Sequence, residues 1–292
     1  MDVRLRKLAG RQDDTIATWQ LTNAGWDART VHHWSQREAW RSIHDGVWAL
    51  GQAELTQRRL WWAATLTAPG TWLNAFSAAN NYAFHVSDLG YETVVRVGSG
   101  GKREYPGLLV ARSMTLDGHV GTRAGIPIVS PARALIEISP SLSDIQRGRA
   151  FRESIRLRTT TADDIAKALA GQRGTRSLAE MCDRYAALPY HRCRSDAESR
   201  ALEVFQDAGI PIPLVNSPFR GPRPDFRWIK PVHFIIEIDS REFHQFPDVD
   251  AGYQANWEAG GALVKRFPAT RVYSHPQELV ALYHANVPMH DL

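Results

Sequence analysis

The amino-acid sequence predicts a mixed α/β chain of the α+β kind, and three observations carry that expectation. Apolar residues recur at helical spacing in several stretches between 12 and 193. Short apolar runs bounded by glycine and proline, such as GLLVARSM and VHFIIEI, read as strands. Near the C-terminus the order helix, three strands, helix, strand, helix makes a compact domain in which helices cover a small sheet.

Composition bounds the rest. With 292 residues the chain is long enough for two or three domains, and 43% apolar with 23% charged residues is ordinary for a globular protein. A formal charge of +4 and a pI near 9.2 lean toward a polyanionic partner, so the local arrangement of arginines has to carry that argument. Cys182 and Cys193 are the only cysteines, too few and too widely spaced for a zinc site of cysteine pairs. The opening MDVRLRKLAGRQDD lacks an apolar signal-peptide core, and no run approaches the roughly 20 apolar residues of a membrane span. The expected setting is a reducing cytoplasm without membrane insertion.

The first segment, 1–54, begins with QDDTIATWQLTNA, where Ile16, Trp19 and Leu21 predict one helix over 12–24 ending at Gly25. Asp27 then caps a second helix, with Val31, Trp34 and Ala39 expected inward and Arg29, Thr30, His33, Gln36 and Arg37 facing out. In RSIHDGVWAL the Asp45-Gly46 dipeptide predicts a hairpin turn. Helix, turn, polar second helix and hairpin together read as a winged helix-turn-helix, whose second helix could enter a DNA major groove. Packing against a neighbour or a protein partner is the plainer use of the same segment.

Segment 55–142 reads as a middle α/β region. LTQRRLWWAATLTA predicts a helix with Leu60, Trp61 and Ala64 inward, and TWLNAFSAANNYAFHV predicts another. ETVVRVGS and GLLVARSM are strand-like and flank the GSGGKREYPG loop, where Lys102 and Arg103 either contact phosphate or form a solvated turn. SPARALIEIS opens with a Ser-Pro helix start and spaces Arg133 and Glu137 for an i, i+4 ion pair.

Segment 143–193 reads as a helical connector. Arg149, Arg152 and Arg156 fall on one face of SDIQRGRAFRESIRLR, which is either a second phosphate contact, a solvated face or a set of interdomain ion pairs.

The C-terminal segment, 194–292, starts with the amphipathic helix SDAESRALEVFQDAG, in which Ala201, Leu202, Val204 and Phe205 face inward. Ile-Pro-Ile-Pro is extended by the proline rule. LVNSPFR and PDFRWI then pair across Gly221, and the run Val232 to Ile238 is apolar enough to be a central strand buried on both faces. Asp225 and Glu237 thereby come together at one end of the sheet with Asp239 and His244. Carboxylates so placed are costly to bury without a cation or hydrogen-bond donors, which makes Asp225 and Glu237 a candidate pair for Mg²⁺ or Mn²⁺.

Two resemblances follow from these motifs. Residues 11–50, through the element order and the closing HDGVWAL, resemble the N-terminal domain of AbiEi-family antitoxins, partners in type IV toxin–antitoxin pairs that act as transcriptional repressors. Residues 195–267 resemble the PD-(D/E)xK nuclease superfamily, most closely the short Vsr-like endonuclease domains that actinobacterial proteins join to an AbiEi-like front. The carrying residues are Ser195-x-x-Glu198, Asn216, Pro224-Asp225-Phe226-x-Trp228, Glu237-x-Asp239, Phe243-His244 and Arg266-Phe267.

The resemblance implies a restriction-endonuclease-like fold and metal-assisted hydrolysis of a DNA phosphodiester. Asp225 is its metal-binding acid, Glu237 its second acid, Glu198 its helical glutamate and His244 a proton carrier. Each has a structural rival: S-x-x-E is also a capping box, Asp239 also suits a strand end, and His244 also suits the surface. Asp239 stands where the superfamily usually has lysine, Ser240 stands where a glycine is customary, and DVDAGYQANWEAGG lacks the customary arginines. Two functions are therefore expected: a DNA endonuclease or nickase, or an antitoxin-like repressor that keeps the nuclease fold as a scaffold. The partners expected are DNA, a cognate toxin for the second function, and a second copy of the chain.

Overall fold

The computed structural model describes residues 3–51, 54–101, 104–170, 172, 175–239 and 247–288. The chain is a mixture of helices and sheets, as expected, and divides into two compact units. The first is Met1–Ala150 with Asp164–Leu178, and the second is Phe151–Asp163 with Ala179–Leu292. The helical stretch 143–193 is thus shared between them. No helix among the described residues is long and apolar enough to cross a membrane.

The first unit opens with helix α1 (Val3–Arg11), strand β1 (Thr15–Ala17), helices α2 (Thr18–Asn23) and α3 (Ala28–Arg37), and strands β2 (Arg41–His44) and β3 (Val47–Ala49). The single helix expected over 12–24 is instead a strand followed by a short helix. Asp13 and Asp14 take left-handed backbone angles that interrupt a helix, and Thr15–Ala17 then pairs with β3 and buries all three residues. The expected hairpin is present, with Gly46 at φ +70° supplying the turn that joins β2 to β3. Asp27 caps α3 as its position predicted, Oδ1 accepting from the Thr30 N–H at 2.7 Å.

Leu5, Ala9, Ile16, Leu21, Val31 and Trp40 form the core of this region, with Trp26, Trp34 and Trp48 packed around it. Ala39, expected inward, is exposed with φ 49° where the helix has ended, and Ser35 occupies the buried position instead.

The same unit continues with α4 (Gln57–Thr65), β4 (Thr71–Leu73), α5 (Ala75–Asn81), β5 (Glu92–Val97), β6 (Glu104–Tyr105), β7 (Leu108–Ser113), β8 (Val120–Arg123), β9 (Ile126–Val129) and α6 (Pro131–Ile138). The six strands form one sheet in the order β6-β7-β5-β4-β9-β8. Helix α4 buries Ala64 as expected, but with Arg59, Trp62 and Ala63 rather than with Leu60 and Trp61. An arginine reads as solvated in sequence, but Arg59 is held inside by the main-chain carbonyls of Asp13 and Glu54. At α6 the expected cap and i, i+4 pair both form: Ser130 Oγ accepts from the Arg133 N–H, and Arg133 Nε donates to Glu137 Oε1 at 2.7 Å.

Helices α7 (Asp144–Arg156), α8 (Ala162–Leu169) and α9 (Arg176–Tyr185) follow. The rest of the second unit comprises α10 (Asp196–Asp207), β10 (Leu214–Val215), β11 (Phe226–Trp228), β12 (Phe234–Asp239), α11 (Pro247–Glu258), β13 (Leu263–Pro268), α12 (Ala269–Ser274) and α13 (Pro276–Asn286). The sheet order is β10-β11-β12-β13, antiparallel except for the last pair, which is parallel and needs the α11 crossover. Phe234, Ile235 and Ile236 have no exposed surface, as the apolar run predicted for a central strand. Phe205 of α10 packs edge-on against Phe226 and Trp228, each at 5.2 Å, and so fastens the helix to the strand that follows Asp225.

Candidate active site and nucleic-acid face

Asp225 immediately precedes β11, and the antiparallel register Phe226↔Ile236 sets it opposite Glu237 on β12. The two acids interlock through the main chain: the Asp225 N–H donates to Glu237 Oε1 at 2.7 Å, and the Ile238 N–H donates to Asp225 Oδ2 at 2.9 Å. Among the described residues nothing donates to the second oxygen of either carboxylate. Asp225 is 8% exposed. Its carboxyl is pushed well above the usual range by burial, by the charge of Glu237 and by that of Glu198, against the Ile238 N–H and Arg194. Burial likewise pushes Glu237 up to about 7, opposed by the Asp225 N–H and by Arg266.

The remaining predicted acids have other partners. Glu198 uses both oxygens within the fold: Oε1 accepts from Ser195 Oγ at 2.9 Å, and Oε2 from the Arg194 N–H at 2.9 Å and Asn216 Nδ2 at 2.7 Å. Ser195 Oγ in turn accepts from the Glu198 N–H, so the S-x-x-E motif caps α10. Asp239 pairs with Arg266 Nη1 at 2.9 Å across the parallel β12–β13 ladder, rather than closing its own strand end through main-chain amides. His244, and with it Ser240, lies outside the described residues.

Three residues not assigned a role from sequence complete the surroundings. Asn216, in the left-handed region at φ 46°, donates its side-chain amide to Glu198 and its N–H to the Asp225 carbonyl, tying the helix acid to the strand acid. Its own position in the motif order was the available signal. Arg194 is exposed, and its charge reaches both Asp225 and Glu237. Cys193 is buried, and burial together with the charge of Glu198 raises its pKa.

No protein-family model and no curated protein sequence matches the chain. The site therefore has to be judged on its chemistry. Among the described residues no group of three or more His, Cys, Asp and Glu is arranged to hold a metal ion. What Asp225 and Glu237 offer is two carboxylates, each with one oxygen lacking a donor and each raised in pKa, and a divalent cation that keeps several waters suits such a pair.

The raised Glu237 makes stability depend on pH in a defined direction. Between the ordinary value of 4.5 and about 7 the native state retains a proton that the unfolded chain has released. Without divalent ions, the contribution of this site is therefore most favourable below that window and falls as pH rises through it, by up to about 1.4 kcal/mol per pH unit. Glu237→Gln is expected to flatten this fall, and urea denaturation of both proteins across the window checks it.

In the first unit, α3 presents Arg29, His33, Gln36 and Arg37 to solvent, with Thr30 half-buried beside the cap. Arg37 lies over the Trp34 ring at 5.3 Å, which holds the guanidinium along the helix. The arginines of α7 divide. Arg149 is exposed, but Arg152 and Arg156 are not the phosphate contacts considered from sequence. Arg152, 4% exposed, is clamped by Asp196 at 2.7 and 3.1 Å and by Glu203 at 3.1 Å. Burial by itself would lower its pKa, but the Asp196 hydrogen bond and the Glu203 and Asp196 charges outweigh this and raise it. Arg156 is chelated by Glu153 at 2.6 and 3.0 Å. The basic run is thus largely an internal ion-pair network. Lys102 and Arg103 lie outside the described residues.

Proposed function

We propose that the chain is a DNA-binding protein whose second unit hydrolyses phosphodiesters with the help of a divalent metal, as a Vsr-like member of the PD-(D/E)xK nucleases. The observation that carries this reading is the Asp225–Glu237 pair, two acids held against burial and mutual repulsion by main-chain amides, each with an oxygen left over. Supporting it is the element order around the pair, a capped helix, three antiparallel strands, a crossover helix and a parallel strand.

Asp225 and Glu237 would hold a Mg²⁺ or Mn²⁺ ion, which polarises a phosphate oxygen and lowers the pKa of bound water. The protein's own contributions are distinct. Main-chain donors orient both carboxylates, Asn216 and Glu198 brace the strand that carries Asp225, and Arg194 adds exposed positive charge beside the pair for an anionic substrate. His244 would carry the proton, following the resemblance.

In the same proposal, α2, α3 and the β2–β3 hairpin act as a winged helix-turn-helix of the AbiEi-like kind, with Arg29, Thr30, His33, Gln36 and Arg37 toward DNA. The double variant Arg29→Ala with Arg37→Ala is expected to weaken duplex binding and lower the salt slope by about 2. Gel shifts over a salt series measure this, and an unchanged slope removes α3 from the interface.

A second reading, an antitoxin-like repressor on an inactive scaffold, is favoured by the engagement of Glu198 in capping and of Asp239 with Arg266, and by a crossover segment without arginine. Incubation of the pure chain with supercoiled plasmid and Mg²⁺ or Mn²⁺ separates the two. Nicking that disappears in Asp225→Ala and Glu237→Ala supports the nuclease; equal cleavage by all three proteins, or none by any, leaves the repressor.

A further inference from the structure

Away from the acid pair, the six-stranded sheet of the first unit places two arginines side by side. Strands β5 and β7 are parallel neighbours with Arg96 in register with Arg112, so both side chains leave the same face, next to the fully buried pair Val94 and Val110. Arg96 donates Nε to Thr71 Oγ1 at 2.9 Å and Nη2 to Thr67 Oγ1 at 2.7 Å. The Arg112 side chain forms no hydrogen bond or ion pair with any described residue, and its Nε is sealed from solvent with no acceptor. No carboxylate among the described residues pairs with either guanidinium.

Such an arrangement is unfavourable as it stands. Adjacent like charges repel, and a buried donor without an acceptor has lost its water without replacement. Burial, and after it the charge of Arg112, lower the Arg96 pKa, so the neighbouring guanidinium disfavours its charge. The chain also approaches Arg112 closely: a Cβ on Gly101 would stand 2.9 Å from Arg112 Nη2, and Gly101 has φ +95°. In front of Arg96 lies a cavity of about 340 Å³, lined also by Thr67, Tyr105, His44, Ser42 and Asp45. Asp45, the acid of the hairpin turn, faces this cavity without pairing with Arg96.

We propose that Arg96, in the wall of this cavity, and Arg112, beside it on the same face of the sheet, form a binding site for a phosphoryl group. Two planar guanidinium forks on neighbouring strands, roughly 4.8 Å apart by sheet geometry, can grip different oxygens of one tetrahedral anion. Tyr105 lines the same cavity. A cavity of about 340 Å³ lies within the size range of small-ligand sites. The phosphate is carried either by a small phosphate monoester such as a nucleotide or by a nucleic-acid backbone. The site belongs to the first unit, whereas the acid pair belongs to the second.

Calorimetric titration of the full chain with inorganic phosphate and with adenosine monophosphate tests the small-ligand arm, and duplex DNA binding at low and physiological salt tests the backbone arm. Wild type, Arg96→Gln and Arg112→Gln are compared. The expected result is a loss of at least about tenfold in affinity for one of these probes in both variants. Loss confined to phosphate and the nucleotide identifies a small ligand; loss confined to duplex identifies the backbone.

The Arg112 side chain makes no hydrogen bond or ion pair among the described residues, so Arg112→Gln is expected to fold with an unfolding midpoint at or above that of wild type, and it carries the test if Arg96→Gln does not fold. The proposal is overturned if Arg112→Gln binds all three probes like wild type. It is equally overturned if wild type binds none of them, or if Arg112→Gln loses stability while its anion binding is unchanged.

Discussion

Asp225→Asn is expected to reduce metal-dependent plasmid nicking by about 10³-fold while leaving the fold intact. The substitution preserves shape and an oxygen that can still accept from the Ile238 N–H, so the β11–β12 ladder survives. It removes the negative charge on which divalent-ion binding depends, and Lewis-acid assistance of several kcal/mol corresponds to about three decades in rate. Removing a buried charge beside Glu237 also stabilises the metal-free protein near neutral pH, because burial and the charge of Glu237 make an ionised Asp225 costly there. Nicking assays over a Mn²⁺ series, paired with urea denaturation, read both effects. Opposite movement of activity and stability is the signature of a strained functional pair; a parallel loss of both would mark Asp225 as merely structural.

Arg152→Ala is expected to destabilise the second unit by about 3–5 kcal/mol, the cost of removing one partner from a buried ion-pair network. Glu203 is 2% exposed in its side chain and Asp196 10%, and both depend on Arg152. Arg200 and the Tyr190 hydroxyl would remain at Glu203, and the Tyr273 hydroxyl at Asp196. Urea denaturation measures the loss. A surface arginine that touched phosphate would behave oppositely, leaving stability nearly unchanged and weakening DNA binding, so the single variant separates the two accounts of the basic run.

Local chemistry was legible in the sequence wherever one short stretch sufficed. Asp27, Ser130 and Ser195 cap helices because a short polar side chain before an amphipathic run has an unpaired N–H within reach. Asp45-Gly46 turns because glycine tolerates its positive φ. The run ending at Ile238 is central because a nearly continuous apolar strand has to be covered on both faces. The facing of Asp225 and Glu237 followed from hairpin pairing of two such strands. The helix expected over 12–24 forms only over Thr18–Asn23, because Ile16 suits either period and pairing of Thr15–Ala17 with β3 decided for a strand there.

Tertiary structure alone decided where charges end up. Arg59 and Arg152 are buried, Asp239 finds Arg266, and Arg96 meets Arg112, each through partners that lie well apart in sequence. An arginine's environment depends on which distant acid or carbonyl the fold delivers to it, and charge pattern along the chain carries no record of that pairing. The sequence by itself therefore determined most of the secondary elements and the candidate acid pair. Only the packed sheets determined which of its basic residues are spent inside the fold and which are left facing a cavity or solvent, because desolvation and register are properties of the assembled structure.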